Sequence, residues 1–299
     1  MTMTLTPPSV KTHLLLTMIQ GQIVSPDHAV VSAHDRGLTF GDGVYEALQS
    51  YAGKLWGIEQ HFQRLARSLR EIQIDNVDLN QVRQWVFEAF DAVDHANCLV
   101  YFHITRGCAA RAHVVDEPME PQFLLTIKPA YDNTSKVVNG IAAISYPDIR
   151  WKRCDIKSLN LLPNVMARRE AYRRKAGEAI FVDEGVVTEG AVSNAFAIIG
   201  DKLVTRPLGR EILPGVTRQV VLAVARRVGL PIEERPFSLA EAFGAQELLV
   251  SGTGEEIRGI VRLDEKPIGD GKPGLWTRKI IDYFVDYTRS GASFDDLAR

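Results

Sequence analysis

Short stretches in the first half of the chain alternate apolar with polar residues. Gln22–Val24 and Ala29–Ser32 are β-branched and brief, and Val44–Tyr51 reads as a longer strand. Tyr51-Ala52-Gly53-Lys54-Leu55-Trp56 has the make-up of a hairpin turn into another strand. The period changes at Ile58. Phe62, Leu65, Leu69 and Ile72 recur at helical spacing, which predicts an amphipathic helix over residues 58–73. A second helix is expected over Leu79–Val93 with Asp78 as its N-cap, before strands at Leu99–Thr105 and Gln122–Lys128. Asp35-Arg36-Gly37 and Gly41-Asp42-Gly43 read as punctuation.

Further along, Ile141–Tyr146 reads as a strand and Ser158–Ala176 as a helix with an early Pro163. Short strands are predicted at Ala179–Asp183, Val186–Thr188 and Ala195–Ile199, then a helix over Thr217–Val228 stopped by Gly229. Ser238–Phe243 is a short helix with Ser238 and Glu241 at capping-box spacing, Leu248–Val250 and Ile260–Leu263 are strands, and Trp276–Arg289 is the last helix. Pro129–Gly140 has few apolar anchors and reads as a linker, while residues 1–11 and the last ten read as loose ends. The division this suggests is a small N-terminal domain over 1–131 and a larger C-terminal domain over 132–299, α+β in class.

Composition fits that division. With 299 residues, 45% of them hydrophobic and 24% charged, the chain can bury enough apolar surface for two ordinary cores. A net charge of −2 excludes a dedicated nucleic-acid binder. No run approaches the ~18 consecutive apolar residues of a membrane span. Cys98, Cys108 and Cys154 form no CxxC pair and no metal spacing, so they are read as free buried thiols in a reducing cytoplasm, and the histidines make no metal constellation.

Four cations, Arg150, Lys152, Arg153 and Lys157, fall within one eight-residue stretch. A solvated basic face is one reading. The other singles out Lys157, between Ile156 and Leu159 at an expected strand-to-helix junction. An amine among apolar groups and other cations loses proton affinity and can form a Schiff base, so Lys157 is a candidate to hold pyridoxal phosphate. Glu189, in Thr188-Glu189-Gly190, is either an exposed strand end or a carboxylate that keeps a pyridinium nitrogen protonated. Leu213-Pro214-Gly215-Val216-Thr217 leads into a helix whose N-terminus suits a phosphate, and Ser251-Gly252-Thr253-Gly254 has the make-up of a second anion nest. Arg111 and His113 share a face if their stretch is extended, where two cations could hold a carboxylate.

Together these segments resemble the fold-type IV pyridoxal-phosphate enzymes, the group with branched-chain and D-amino acid aminotransferases and aminodeoxychorismate lyase. The resemblance is carried by Asp35-Arg36-Gly37 with Phe40-Gly41-Asp42-Gly43-Val44-Tyr45-Glu46, by His61-Phe62-Gln63-Arg64-Leu65, by Asp155-Ile156-Lys157-Ser158-Leu159-Asn160 and by Thr188-Glu189-Gly190, in order along the chain. Thr105-Arg106-Gly107 followed by Arg111-Ala112-His113 looks most like D-amino acid aminotransferase. The resemblance implies a two-domain fold with a β-barrel-like core in the larger domain, pyridoxal 5'-phosphate as cofactor, amino and 2-oxo acids as substrates, and a cytoplasmic homodimer. It implies Lys157 as the catalytic, cofactor-linked lysine, Glu189 at the pyridine nitrogen and Leu213 beneath the ring. Arg64, Val216, Thr217 and Thr253 would hold the phosphate, and Tyr45, Tyr101, Arg111 and His113 the substrate. The chain departs from the pattern at Ala191 and Val192, where hydroxyl side chains are expected, and at Gly252 and Gly254. Rival readings are an L-branched-chain or R-selective amine transaminase, a lyase on the same scaffold, and a non-enzymatic carrier of the cofactor.

Overall fold

The structure, a computed structural model, describes residues 13–130, 134–290 and 294. The readings made for residues 1–11 and for most of the last ten lie outside these. The chain forms two compact units: one runs up to Ala130 and includes Ser158–Asn160, the other comprises Tyr131–Lys157 with the chain from Leu161 onward.

The first unit holds an antiparallel sheet of β1 (Leu16–Ile19), β2 (Gln22–Val24), β3 (Gly43–Tyr51), β4 (Lys54–Leu55), β5 (Cys98–Thr105) and β6 (Gln122–Pro129), in spatial order β2-β1-β6-β5-β3-β4. Its helices are α1 (Arg36–Phe40), α2 (Ile58–Glu71) and α3 (Leu79–Asp91). Alternate residues of β5 and β6 (Val100, Phe102, Ile104, Phe123, Leu125, Ile127) are buried. Against that face α2 sets Phe62, whose ring lies 6.0 Å from that of Phe102, and α3 sets Trp85, 5.2 Å from Phe123. Each large apolar side chain so buried contributes about 1.5–3 kcal/mol relative to exposure. Asp78 caps α3 as its sequence predicts, accepting from the N–H groups of Asn80 and Gln81.

The second unit contains β7 (Ile141–Pro147), β8 (Glu178–Asp183), β9 (Val186–Gly190), β10 (Asn194–Ile199), β11 (Lys202–Thr205), β12 (Ile232–Glu234), β13 (Glu247–Gly252), β14 (Glu256–Leu263) and β15 (Lys266–Pro267). Its helices are α4 (Thr134–Asn139), α5 (Leu162–Arg173), α6 (Val216–Arg227), α7 (Leu239–Gly244) and α8 (Leu275–Arg289). The sheet is mixed, in order β12-β11-β10-β13-β14-β7-β8-β9 with β15 on β14, and β7 runs parallel to both its neighbours. Strand β9 returns against β10, so the sheet curls into a barrel-like half-barrel. Helix α5 covers one part of it, packing Ala167 and Ala171 on Ile144, Ala179 and Phe181. This is the α+β class the periodicities predict.

Local expectations fail at a few places. Ala29–Ser32 is not a strand: Val30 is 80% exposed, and Pro26 opens a 3-10 turn just before it. The punctuation at Asp35 to Gly43 encloses a helix, α1, capped by the Asp35 carboxylate on the Gly37 N–H and ended by Gly41 at φ +67°. The segment 129–140, read as a linker, carries a short helix, α4, over Thr134–Asn139. The helix expected from Ser158 begins at Leu162, with Pro163 in its first turn. Ser158 instead bridges Val44, and the Leu159 N–H donates to the Gly43 carbonyl. Of the three thiols only Cys98 is buried. Cys108 is exposed, and Cys154 is partly buried, where desolvation outweighs the nearby Arg150 and pushes its thiol up to about 12.

Candidate active site

In the second unit, the exposed strand end that one reading made of Glu189 is absent. Glu189 is the second-last residue of β9 and is 5% exposed. Its Oε2 accepts from Asn194 Nδ2 (3.0 Å) and from the Leu213 backbone N–H (3.0 Å), and its Oε1 accepts from Arg150. Burial raises its carboxyl to about 7 although the Arg150 guanidinium pulls the other way. Arg150 is in turn forked onto Asp148 (Nε–Oδ1 2.9 Å, Nη2–Oδ2 2.7 Å) and stacked 4.3 Å over the Phe181 ring. A carboxylate so placed can pair with a cationic ring nitrogen, and three donors fix its plane beforehand.

Asn194 is the hub that sequence reasoning missed. Its Nδ2 also donates to the Leu213 carbonyl (2.9 Å), so one side chain ties Glu189 to the loop ahead of α6. A Cβ at Gly215 would lie 2.0 Å from Asn194 Oδ1, which leaves glycine as the residue that fits. A signal was available: Asn194 is an amide heading an otherwise apolar strand, Ala195–Ile199.

Gly215 is the N-cap of α6, and no side chain caps that helix. Its first turn, Val216, Thr217 and Arg218, is at most 4% exposed. A buried N-terminus without a side-chain cap, held by Asn194 beside a buried carboxylate, fits a flat heterocycle carrying a phosphate. Thr253 sits in the turn after β13, and Leu213 is held at both its N–H and its carbonyl.

Lys157 is half-buried in the loop between Trp151 and Leu161, next to buried Ile156. The expected bare positive field around it is absent, because each neighbouring cation has its own carboxylate. Arg150 has Asp148 and Glu189, Lys152 has Asp183 at 2.7 Å, and Arg153 has Asp155 at 3.0 Å.

The first unit places the remaining candidates. Tyr45 and His103 are directly opposed across β3 and β5. Tyr101 lies on the same face, its ring 5.6 Å from that of Tyr45 and its hydroxyl 3.2 Å from His103 Nδ1. Burial, with Tyr45 beside it, raises the Tyr101 phenol, and burial lowers the His103 imidazole although Asp35 pulls the other way. His103 belongs to this polar face and was not singled out from sequence. Arg64 is buried on α2 and forked onto Glu46 (2.8 and 2.7 Å), which also takes His61 Nδ1 at 2.7 Å. Arg111 and His113 lie not on an extended stretch but in an exposed loop, where both pack on Phe40: the Arg111 guanidinium is 5.0 Å from its centroid and the His113 ring 5.3 Å.

Glu46 gives a pH test of this scaffold. Burial alone would raise it, yet Arg64 and His61 outweigh burial and hold it at about 2. Its contribution is complete above its unfolded value of about 4.5 and is lost as pH falls toward 2, roughly 3 kcal/mol in all. Urea unfolding of wild type from pH 6 to pH 3 should lose stability faster than Glu46→Gln; parallel slopes would show that the pair does not hold that proton off.

Residues 43–263 match the family model described as amino-transferase class IV. A D-alanine aminotransferase of Staphylococcus haemolyticus is 38% identical over 277 residues, 92% of this chain and 98% of the relative. One from Bacillus licheniformis is 35% identical over 264 residues, covering 88% and 93%. Among solved structures, the Escherichia coli branched-chain amino acid aminotransferase superposes with a TM-score of 0.86 at 22% identity, covering 94% of this chain and 96% of that one. A Mycobacterium tuberculosis hypothetical aminotransferase in its PLP-bound form superposes at 0.79 with 24% identity, covering 92% and 99%.

Proposed function

The chain belongs to the class IV aminotransferases, and from that premise we propose that it moves the amino group of a D-amino acid such as D-alanine to a 2-oxo acid such as 2-oxoglutarate. Enzymes of this class are pyridoxal-phosphate-dependent transaminases acting on small molecules. The observation that supports the site assignment is the Glu189–Asn194–Leu213 knot beside the N-terminus of α6.

When bound, the cofactor supplies an aldehyde for amines and a ring that takes up the electron pair of a broken Cα–H bond. Glu189, its carboxylate held by Asn194 and Arg150, would hold a proton on the pyridine nitrogen. Leu213 would pack against the ring. The Val216 N–H, Thr217, Thr253 and Arg64 would hold the phosphate. Lys157 Nζ would hold the aldehyde in the resting enzyme and, when free, would take the substrate's α-proton, always from one side. Handedness is then set by where the substrate carboxylate is clamped, a task given to Tyr45, Arg111 and His113 with Tyr101 behind Tyr45. A bidentate guanidinium suits a carboxylate.

An L-branched-chain enzyme is the second reading, favoured by the close superposition on a branched-chain aminotransferase fold. Incubation with D- or L-alanine plus 2-oxoglutarate, followed by chiral chromatography of the glutamate, separates the two. D-glutamate formed from D-alanine alone is expected; L-glutamate from L-alanine would overturn the assignment.

The enzyme is further assigned to the cytoplasm as a homodimer. All three cysteines are free, which supports a reducing compartment. Leu162, Val165 and Met166 of α5 are 69%, 48% and 45% exposed on one helix face, which a second copy would cover. Sedimentation at the mass of a single chain would remove the dimer.

A further inference from the structure

The Asp35-Arg36-Gly37 and Phe40-Gly41-Asp42-Gly43 segments do more than turn the chain. Arg36 is 6% exposed, and a guanidinium taken out of water needs every donor engaged. Its Nε donates to Asp42 Oδ2 (2.9 Å), which suffices for its charge. Its two terminal nitrogens reach elsewhere: Nη1 to the Ala112 carbonyl (2.7 Å) and Nη2 to the His113 carbonyl (3.2 Å). One turn on along α1, Phe40 carries Arg36 at 4.8 Å from its centroid, Arg111 at 5.0 Å and the His113 ring at 5.3 Å. Arg36 therefore fixes the backbone of the 111–113 loop, and Phe40 seats both of its basic side chains. Arg36 has Asp42, whereas no carboxylate among the described residues pairs with Arg111, so that cation stands ready for an anion from outside.

We propose that Arg36 and Phe40 are positioning residues that pre-form the clamp for the substrate carboxylate, and so determine specificity for amino acids over plain amines. The proposal rests on the reading of Arg111 and His113 as that clamp. An exposed loop left to itself would lose conformational entropy on gripping a carboxylate; here part of that ordering is already made. Lysine cannot replace Arg36, because a point donor does not span Asp42 and two carbonyls at once.

The test is single-turnover reaction of the holoenzyme with D-alanine, followed by cofactor absorbance, which yields an apparent Kd and a limiting rate. Arg36→Met is expected to raise that Kd about 30-fold while the limiting rate stays within about threefold. Pyridoxal phosphate affinity should be unchanged, and Arg36→Lys should fall between. Phe40→Leu keeps the Arg36–Asp42 pair and should raise the Kd about 10-fold, which keeps the proposal testable if Arg36→Met does not fold. Arg36→Met added to Arg111→Ala should weaken D-alanine no further than Arg111→Ala alone. If Arg111→Ala weakens D-alanine but Arg36→Met and Phe40→Leu do not, or if their effects multiply, the positioning role is wrong and the clamp survives. If Arg111→Ala itself leaves D-alanine affinity unchanged, the clamp reading fails and this proposal with it.

Discussion

Replacing Lys157 with alanine should abolish steady-state transamination, lowering turnover by at least about 10⁴-fold, and should erase the absorption band near the visible edge that a lysine-linked cofactor gives. Both effects follow from the role proposed for this amine, linking the aldehyde and carrying the α-proton. The backbone around it explains how that amine can be aimed. Ile156 before it is 5% exposed, and the residues after it are tied down, Ser158 to Val44 and the Leu159 N–H to the Gly43 carbonyl. The half-buried lysine side chain closes no core layer, so the variant should fold normally, with an unchanged circular dichroism spectrum. Added methylamine should restore part of the proton transfer, because the missing group is then supplied from solution. A variant that keeps both the visible band and more than about 1% of turnover would show that position 157 carries neither job.

The elements that dominate this fold are legible because their periodicity and burial agree. Phe62, Leu65 and Leu69 mark α2, and Ser238 with Glu241 makes both bonds of its capping box. What the pattern hides are features set by distant partners. Val30 and Val31 look like strand residues, yet no strand among the described residues takes them. Ser158 to Leu161 carries helical spacing but goes to Val44 and Gly43, more than a hundred positions earlier. The site follows the same rule. Lys157 and Glu189 stand out as candidates by type and context. The basic run around Lys157 does not, because its meaning depends on Asp148, Asp183 and Asp155, each of which neutralises one cation. Asn194 is harder still. Its role exists only once β10, the end of β9 and the loop before α6 have met, and no local propensity encodes that meeting.

Glu189→Gln should lower the rate of α-proton removal by about 10²–10³-fold and leave cofactor binding largely intact. The substitution keeps the shape of the side chain and removes the charge, which separates electrostatics from packing. One amide oxygen cannot serve Arg150, Asn194 and the Leu213 N–H together, so about 1–2 kcal/mol of hydrogen bonding is at stake. Against that, the glutamate is itself costly to ionise: burial carries its carboxyl to about 7 even with Arg150 adjacent. A neutral side chain escapes that cost, and Arg150 keeps Asp148 as its counter-ion. The two effects oppose each other, so the melting temperature should move little while the chemistry slows sharply. The N-terminus of α6, the part assigned to the phosphate, is untouched. The decisive readout is the primary isotope effect with Cα-deuterated D-alanine. It should grow in the variant as proton removal becomes the slow step, since on the proposed role the ring nitrogen would lose the negative charge that holds its proton. An isotope effect and a half-reaction rate both equal to wild type would mean that Glu189 is a buried structural carboxylate, and that some other group holds the proton on the ring.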